Sequence, residues 1–176
     1  MRFDWRDLET PRLIDKPVVV LDSQEIRVIR QALEYTPNVF WAKRRHFSDL
    51  RNRAMFELAL HSGMRVSECI NADRDDIDFK KEEIRLVNVK TGEIKYKSIV
   101  GATKYVCEYL NERKDNDPAL FVSAGHFGKG CGAPKRLTFD GAKSAFRDLR
   151  KRLGLKKHFH FHMLRKTYVT LLLMGG

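Results

Sequence analysis

Cysteine is scarce here, and its spacing pairs with nothing: Cys69, Cys107 and Cys131 are odd in number and form no CxxC. That argues against a disulfide framework or a zinc knuckle, and a reducing, cytoplasmic interior is the expected setting. No apolar run reaches the ~18 residues of a membrane-crossing helix, so no membrane partner is expected. The opening Met1-Arg2-Phe3-Asp4-Trp5-Arg6-Asp7 carries acids and lacks the apolar stretch of a signal peptide. Internal repeats and low-complexity tracts are missing as well. The glycine-rich segment with Gly125, Gly128, Gly130 and Gly132 lacks the Gly-Lys-Ser/Thr ending of a phosphate loop, and no strand feeds it. His158, His160 and His162 alternate, but no acid or cysteine follows at zinc spacing, so no metal is expected.

What the chain does have is apolar residue and positive charge. At 176 residues and 43% hydrophobic it can bury one proper core. Its 34 Lys+Arg against 23 Asp+Glu give a net charge of +11. A balance this basic points to a polyanionic partner, of which nucleic acid is the commonest.

The first twenty residues mix charges with Pro11 and Pro17 and form an arm or linker. Asp22 with Glu25 marks a helix start, followed by Ile26, Ile29 and Leu33 on one face and ended by Pro37-Asn38. Ser48 is the expected cap of a second helix, apolar on all sides from Ala54 to Leu60 and stopped by Gly63. A short helix over 66–72 follows. The period then changes: 84–89 and 95–100 flank Thr91-Gly92 as a β-hairpin. Thr103 starts a helix with Val106, Tyr109 and Leu110 inward, and Phe121 to Ser123 form a brief extended piece. Asp140 is the expected cap of a helix with Ala142, Ala145, Phe146, Leu149 and Leu153 inward and Gly154 at its end. Its outer face carries Lys143, Arg147, Arg150 and Lys151, either a solvated face or a DNA-facing one. A last helix runs from near His162 to Met174, with Leu164, Thr167, Tyr168, Leu171 and Leu172 as its buried stripe. The sum is mainly α with a small antiparallel β-sheet, which excludes a doubly wound nucleotide fold.

Three groups of residues invite chemistry, and each is bland alone. His162 and Arg165 lie three apart on one helical face, where an imidazole and a guanidinium suit an anion such as phosphate. Arg65 follows a glycine stop with Glu68 three residues on, a spacing that also makes a structural ion pair. Lys90 stands near the hairpin tip, where lysines commonly do no more than solubilise.

Taken in order, these segments resemble a known family. His61-Ser62-Gly63-Met64-Arg65-Val66-Ser67-Glu68-Cys69 is similar to the first arginine box of the tyrosine recombinases, the phage-integrase type. Asp75-Asp76-Ile77-Asp78 resembles the acidic stretch before that family's sheet, Lys90-Thr91-Gly92 its hairpin lysine, and His162-Met163-Leu164-Arg165-Lys166-Thr167 its His-x-x-Arg box. The resemblance runs from about Val20 to the end. It implies the catalytic fold of DNA breaking-rejoining enzymes over residues 21–176, with 1–20 as the linker from a separate DNA-clamping domain.

The resemblance further implies site-specific cutting and rejoining of double-stranded DNA through a covalent 3′-phosphotyrosine, in integration, excision or resolution, by a dimer or tetramer on DNA. Arg65 and Arg165 would clamp the two non-bridging phosphate oxygens. Lys90 would protonate the leaving 5′ oxygen, His162 would hydrogen-bond the phosphate and assist proton transfer, and Glu68 would orient Arg65. No cofactor is expected, because fixed cations take the part that metal ions play elsewhere. The family's further His or Trp and its nucleophilic Tyr lie a few dozen residues past the Arg. The catalytic domain is therefore expected to be incomplete at its C-terminal end, with no nucleophile in this chain, and the chain to bind DNA without cleaving it. Tyr168 falls on the buried stripe and is expected to be core. A type IB topoisomerase-like relaxer, a non-catalytic DNA-binding protein of the same fold and an RNA-binding domain remain as rival readings.

Overall fold

The computed structural model of the chain describes residues 18–34, 42–88, 91–123, 134–155 and 159–175. Six helices and one small sheet appear among them: α1 (Ser23–Leu33), α2 (Ala42–Ser62), α3 (Val66–Asn71), β1 (Ile77–Asp78), β2 (Glu83–Val87), β3 (Ile94–Ser98), α4 (Thr103–Glu112), α5 (Phe139–Leu153) and α6 (Phe161–Met174). A single 3-10 turn, Arg74–Asp76, leads into β1.

Helix α1 begins as its sequence dictates. The Asp22 carboxylate accepts from Glu25 N at 2.8 Å and Glu25 returns the bond from Asp22 N at 3.0 Å, so two orphan amides are satisfied reciprocally. Ile26, Ile29 and Leu33 are its buried face. Helix α2 starts six residues before the expected cap at Ser48, which lies inside it. Ala42, Lys43 and Arg44 favour helix intrinsically, and an interior serine costs little against that. Ala54, Met55, Phe56, Leu58 and Ala59 are fully buried, and each large one among them contributes about 1.5–3 kcal/mol by leaving water. Helices α4 and α6 both pack against α2.

The sheet is antiparallel in the order β1-β2-β3, with Ile77 opposite Ile84 and Ile84 opposite Lys97. At the hairpin tip Gly92 takes φ +69 and donates to Asn88 O at 2.7 Å, a left-handed geometry that suits glycine. The expected extended piece at Phe121 to Ser123 survives as a bridge from Val122 to Arg136. Tyr109, fully buried, stacks on Phe121 at 5.6 Å, and its hydroxyl accepts from Val122 N at 3.1 Å.

Helix α5 is capped by Thr138, whose Oγ1 accepts from Gly141 N at 3.1 Å, and not by Asp140, which sits in the first turn. Both suit a helix start, since the threonine bonds an orphan amide and the aspartate meets the positive end of the dipole. Phe146, from α5, meets Phe159 at 5.4 Å and Phe161 at 5.2 Å, which seats the start of α6 against the core. Thr167 Oγ1 accepts from Leu21 N at 3.0 Å and donates to Met163 O at 2.9 Å, tying the segment before α1 to α6. The stripe expected along α6 holds only for its first half. Leu164 and Thr167 are buried and Tyr168 is half-buried, whereas Leu171 and Leu172 are 49% and 58% exposed. The helical spacing is correct, but none of the described residues packs over that last turn. No helix among the described residues is long and apolar enough to cross a membrane. The expected arm over 1–17, the turn at Pro37-Asn38 and most of the glycine-rich loop fall outside the described residues.

Candidate phosphate-binding site

The two ends of the α2–α3 junction and the start of α6 build one cationic cluster. Gly63 ends α2 with φ +59, and a Cβ there would lie 2.3 Å from Cδ1 of Tyr168. Glycine thus serves twice, as a left-handed stop and as floor for the Tyr168 ring. The chain turns at once into α3, with Arg65 at its N-cap. Glu68 Oε2 accepts from Arg65 N at 2.8 Å, and Oε1 accepts from Arg65 Nη1 at 2.9 Å. The Arg65 side chain remains 62% exposed.

From α6, Arg165 Nη1 donates to Gly63 O at 2.5 Å. The same carbonyl accepts from Lys97 Nζ at 3.4 Å, and Lys97 also reaches Glu68 Oε2 at 3.3 Å. Helices α2, α3 and α6 and strand β3 therefore converge on one carbonyl and one carboxylate. His162 is exposed one turn before Arg165. Beside the cluster, a groove of about 720 Å³ runs between α3 and the sheet, lined among others by Arg65, Glu68, Asp73, Arg85, Lys95 and Lys97.

Its electrostatics are those of a site with positive charge in surplus. Burial pushes the Glu68 carboxyl up, yet the amide of Arg65 and the charge of Lys97 outweigh it and hold the group below the usual carboxylate range. Burial lowers Lys97; Glu68 pulls it back up, while Arg165 and Arg65 press it down, and the net position is below an ordinary lysine. Partial desolvation, followed by the charges of Lys166, His160, Arg165 and Arg65, depresses the His162 imidazole. Such a cluster repels further protons and welcomes an anion.

Of the residues singled out in the sequence, Arg65, Glu68, His162 and Arg165 come together. Lys90 lies outside the described residues. On α5, Lys143, Arg147 and Lys151 are exposed, whereas Arg150 is half-buried with Nε 3.5 Å from Leu155 O at the helix end. Lys143 lies over the Phe139 ring at 4.4 Å. The Asp75-Asp76-Ile77-Asp78 stretch supports the sheet: Asp76 Oδ1 accepts from Arg85 Nη2 at 2.8 Å and from its Nε at 3.0 Å. Among the described residues no group of three metal-ligating side chains converges.

Lys97 is the member that the sequence reading missed. Its signal was the alternation along β3, which puts Lys97 on the same side as fully buried Ile99 and opposite fully buried Ile84.

Comparison with known proteins gives a consistent picture. Residues 20–176 match the Phage integrase family. A probable integrase/recombinase of Acholeplasma phage L2 is 28% identical over 172 residues, covering 95% of this chain and 55% of that protein. The tyrosine recombinase XerC of Herpetosiphon aurantiacus is 33% identical over 133 residues, covering 72% of this chain and 40% of the relative. Among solved structures, the XerA recombinase superposes with a TM-score of 0.69 at 24% identity, covering 95% of this chain and 53% of that one. The Tn1549 transposon integrase, solved in complex with transposon right end DNA, gives 0.67 at 18% identity, covering all of this chain and 61% of its own. The chain spans about half the length of the curated relatives it matches.

Proposed function

Because the chain belongs to the phage integrase family, whose match covers residues 20–176, we propose that it supplies the phosphate-binding half of a tyrosine recombinase active site, in a protein that cuts and rejoins double-stranded DNA at specific sites. The observation that carries this reading is the cluster in which Arg65 and Lys97 share the Glu68 carboxylate, Arg165 and Lys97 share the Gly63 carbonyl, and His162 lies near enough to feel the charges of both arginines. Catalysis of phosphoryl transfer rests chiefly on positioning and charge stabilisation. Two planar guanidinium forks suit the two non-bridging oxygens of a phosphodiester.

In this reading Arg65 and Arg165 bind those oxygens and stabilise the charge that builds as a tyrosine oxygen attacks phosphorus. The phosphorus bond to the 5′ oxygen breaks, and Lys90 delivers the proton that the leaving oxygen takes up. His162 hydrogen-bonds the phosphate and assists proton transfer. Glu68 keeps Arg65 at the α3 N-terminus.

The attacking tyrosine would come from outside these 176 residues. Among the described tyrosines, Tyr109 is buried in the core, Arg53 covers Tyr105 at 4.5 Å, the Tyr168 ring is packed on Gly63, and Tyr96, though 64% exposed, lies on the face of β3 opposite to that of Lys97. Lys143, Arg147 and Lys151 along α5 would track the DNA backbone, with Arg150 partly engaged at the end of its own helix. Assembly as a dimer or tetramer on DNA, within the cell interior, completes the proposal.

Three experiments test it. Duplex binding by this chain should weaken steeply with salt, because each phosphate contact releases counterions. In the longest natural reading frame containing this sequence, Arg65→Ala or Arg165→Ala should slow strand cleavage by about 10²–10³, the usual cost of one charge-stabilising donor, and weaken duplex binding far less. Normal cutting by both variants would refute the site. A covalent protein–DNA adduct formed by the 176-residue chain itself would refute the external tyrosine.

A further inference from the structure

The sequence places a lysine in the hairpin motif, but the lysine seen in the cluster is a different one, on β3. It touches neither guanidinium. Instead it contacts what each guanidinium is anchored to: Glu68 Oε2, whose carboxylate holds Arg65, and Gly63 O, which holds Arg165. Lys97 thus bridges the N-terminus of α3 and the C-terminus of α2 from a strand whose register is pinned by Ile84. Its side chain is 23% exposed and that of Glu68 24%, so this tie is partly shielded from solvent.

Arg65 needs such a tie. Its exposed side chain makes one hydrogen bond to Glu68 and otherwise projects into solvent. A guanidinium with five donors and a single anchor samples many orientations unless its partner is itself immobile. Glu68 Oε2 accepts from both the Arg65 amide and Lys97, which leaves Oε1 facing the Arg65 guanidinium. Arg165 leans on a carbonyl that an ammonium also grips, so the spacing of the two forks depends on the bridge between their anchors.

We propose that Lys97 is a positioning residue that sets the separation and orientation of Arg65 and Arg165, so that both guanidinium groups close on one phosphate. This rests on the phosphate-site reading above and deepens it by adding a residue outside the sequence boxes. Loss of Lys97 uncouples the two arginines, which a residue that merely adds charge would not do.

The test is a double-mutant cycle read with inorganic phosphate, by calorimetry on the full chain. Arg65→Ala, Arg165→Ala and the double variant are measured in the native background and again with Lys97→Met or Lys97→Arg, after thermal melts have shown each to be folded. In the native background the two arginines should be coupled by about tenfold in affinity. With Lys97→Met the coupling should fall to about onefold, and Lys97→Arg should restore most of it. Coupling that persists in Lys97→Met, whether or not overall affinity drops, overturns the proposal.

Absence of saturable phosphate binding by the native chain would instead sink the phosphate-site reading itself. The positioning role is then decided by proton exchange at Nε of Arg65 and Arg165, followed by NMR. Lys97→Met speeds that exchange several-fold if Lys97 orders them and leaves it unchanged if it does not.

Discussion

Two arginine–carboxylate pairs lie close together in the chain and do opposite things. Arg30 of α1 meets Glu57 of α2 in a two-point fork, at 2.7 and 2.8 Å, with the carboxylate fully buried. His61 adds a third contact at 3.4 Å. Burial would push the Glu57 carboxyl up, but His61 and Arg30 hold it below the usual range. Its charge is met from within the fold. One turn past the end of that helix, Glu68 faces Arg65 and Lys97 together, with Arg165 bound to a neutral carbonyl nearby. There the cations outnumber their carboxylate, and Arg65 stays 62% exposed to solvent while Lys97 and Arg165 are half-buried. A balanced pair fastens helices together; an unbalanced one leaves positive charge that the fold does not neutralise. An Arg with an acid at close spacing in sequence describes both, and only the surroundings separate them.

The sharpest way to break that contrast is to unbalance the buried pair. Arg30→Met strands a fully buried carboxylate, which should cost on the order of 3–5 kcal/mol, read as a lower urea midpoint. Phosphate affinity of the protein that remains folded should be unchanged. A large loss of phosphate affinity would place Arg30 in the same network as Arg65.

A smaller effect is expected at the hinge between the two pairs. Gly63→Ala forces a left-handed residue with a Cβ into the Tyr168 ring. It should destabilise by about 2 kcal/mol or more and, by displacing the carbonyl that Arg165 and Lys97 share, weaken phosphate binding too. A thermal melt beside a phosphate titration separates the two losses. A variant that melts normally would show that the ring simply swings aside.

The smallest effect concerns pH. His162 starts below its ordinary value through desolvation, then through Lys166, His160, Arg165 and Arg65. A bound phosphodiester, being anionic and non-titrating near neutrality, favours the protonated ring and raises that value. Proton uptake then accompanies binding, so duplex affinity should increase as pH falls through the imidazole range, below about 6.5. The increase should vanish in His162→Gln. Affinity that falls with pH, or an unchanged slope in the variant, would remove His162 from the phosphate.

Much of the fold was legible because its signals are local. Asp22 and Glu25 sit three apart and satisfy each other's backbone, and Ile26, Ile29 and Leu33 repeat at the helical period. The hairpin showed itself by a change of period around Thr91-Gly92. Arg65, Glu68, His162 and Arg165 were legible as boxes in a fixed order. Lys97 was not, because a lysine on a strand reads as solvated until the helix packed against that strand is known. Ser48 misled because a good cap residue also tolerates a helix interior when the preceding residues favour helix. Thr138 was passed over for Asp140, since both residue types favour helix starts and only the loop geometry decides between them. Leu171 and Leu172 continue a stripe whose partners the described residues do not supply.

The measurement that tests the central claim most directly is an NMR titration of this chain with a short DNA duplex, following the side-chain Nε signals of Arg65 and Arg165 and the His162 ring. Saturable shifts at all three with one common affinity, weakened by added salt, are predicted. Shifts confined to Lys143, Arg147 and Lys151 of α5, with Arg65, Arg165 and His162 silent, would mean that DNA is bound but that the cationic cluster around Glu68 is not where its phosphate sits.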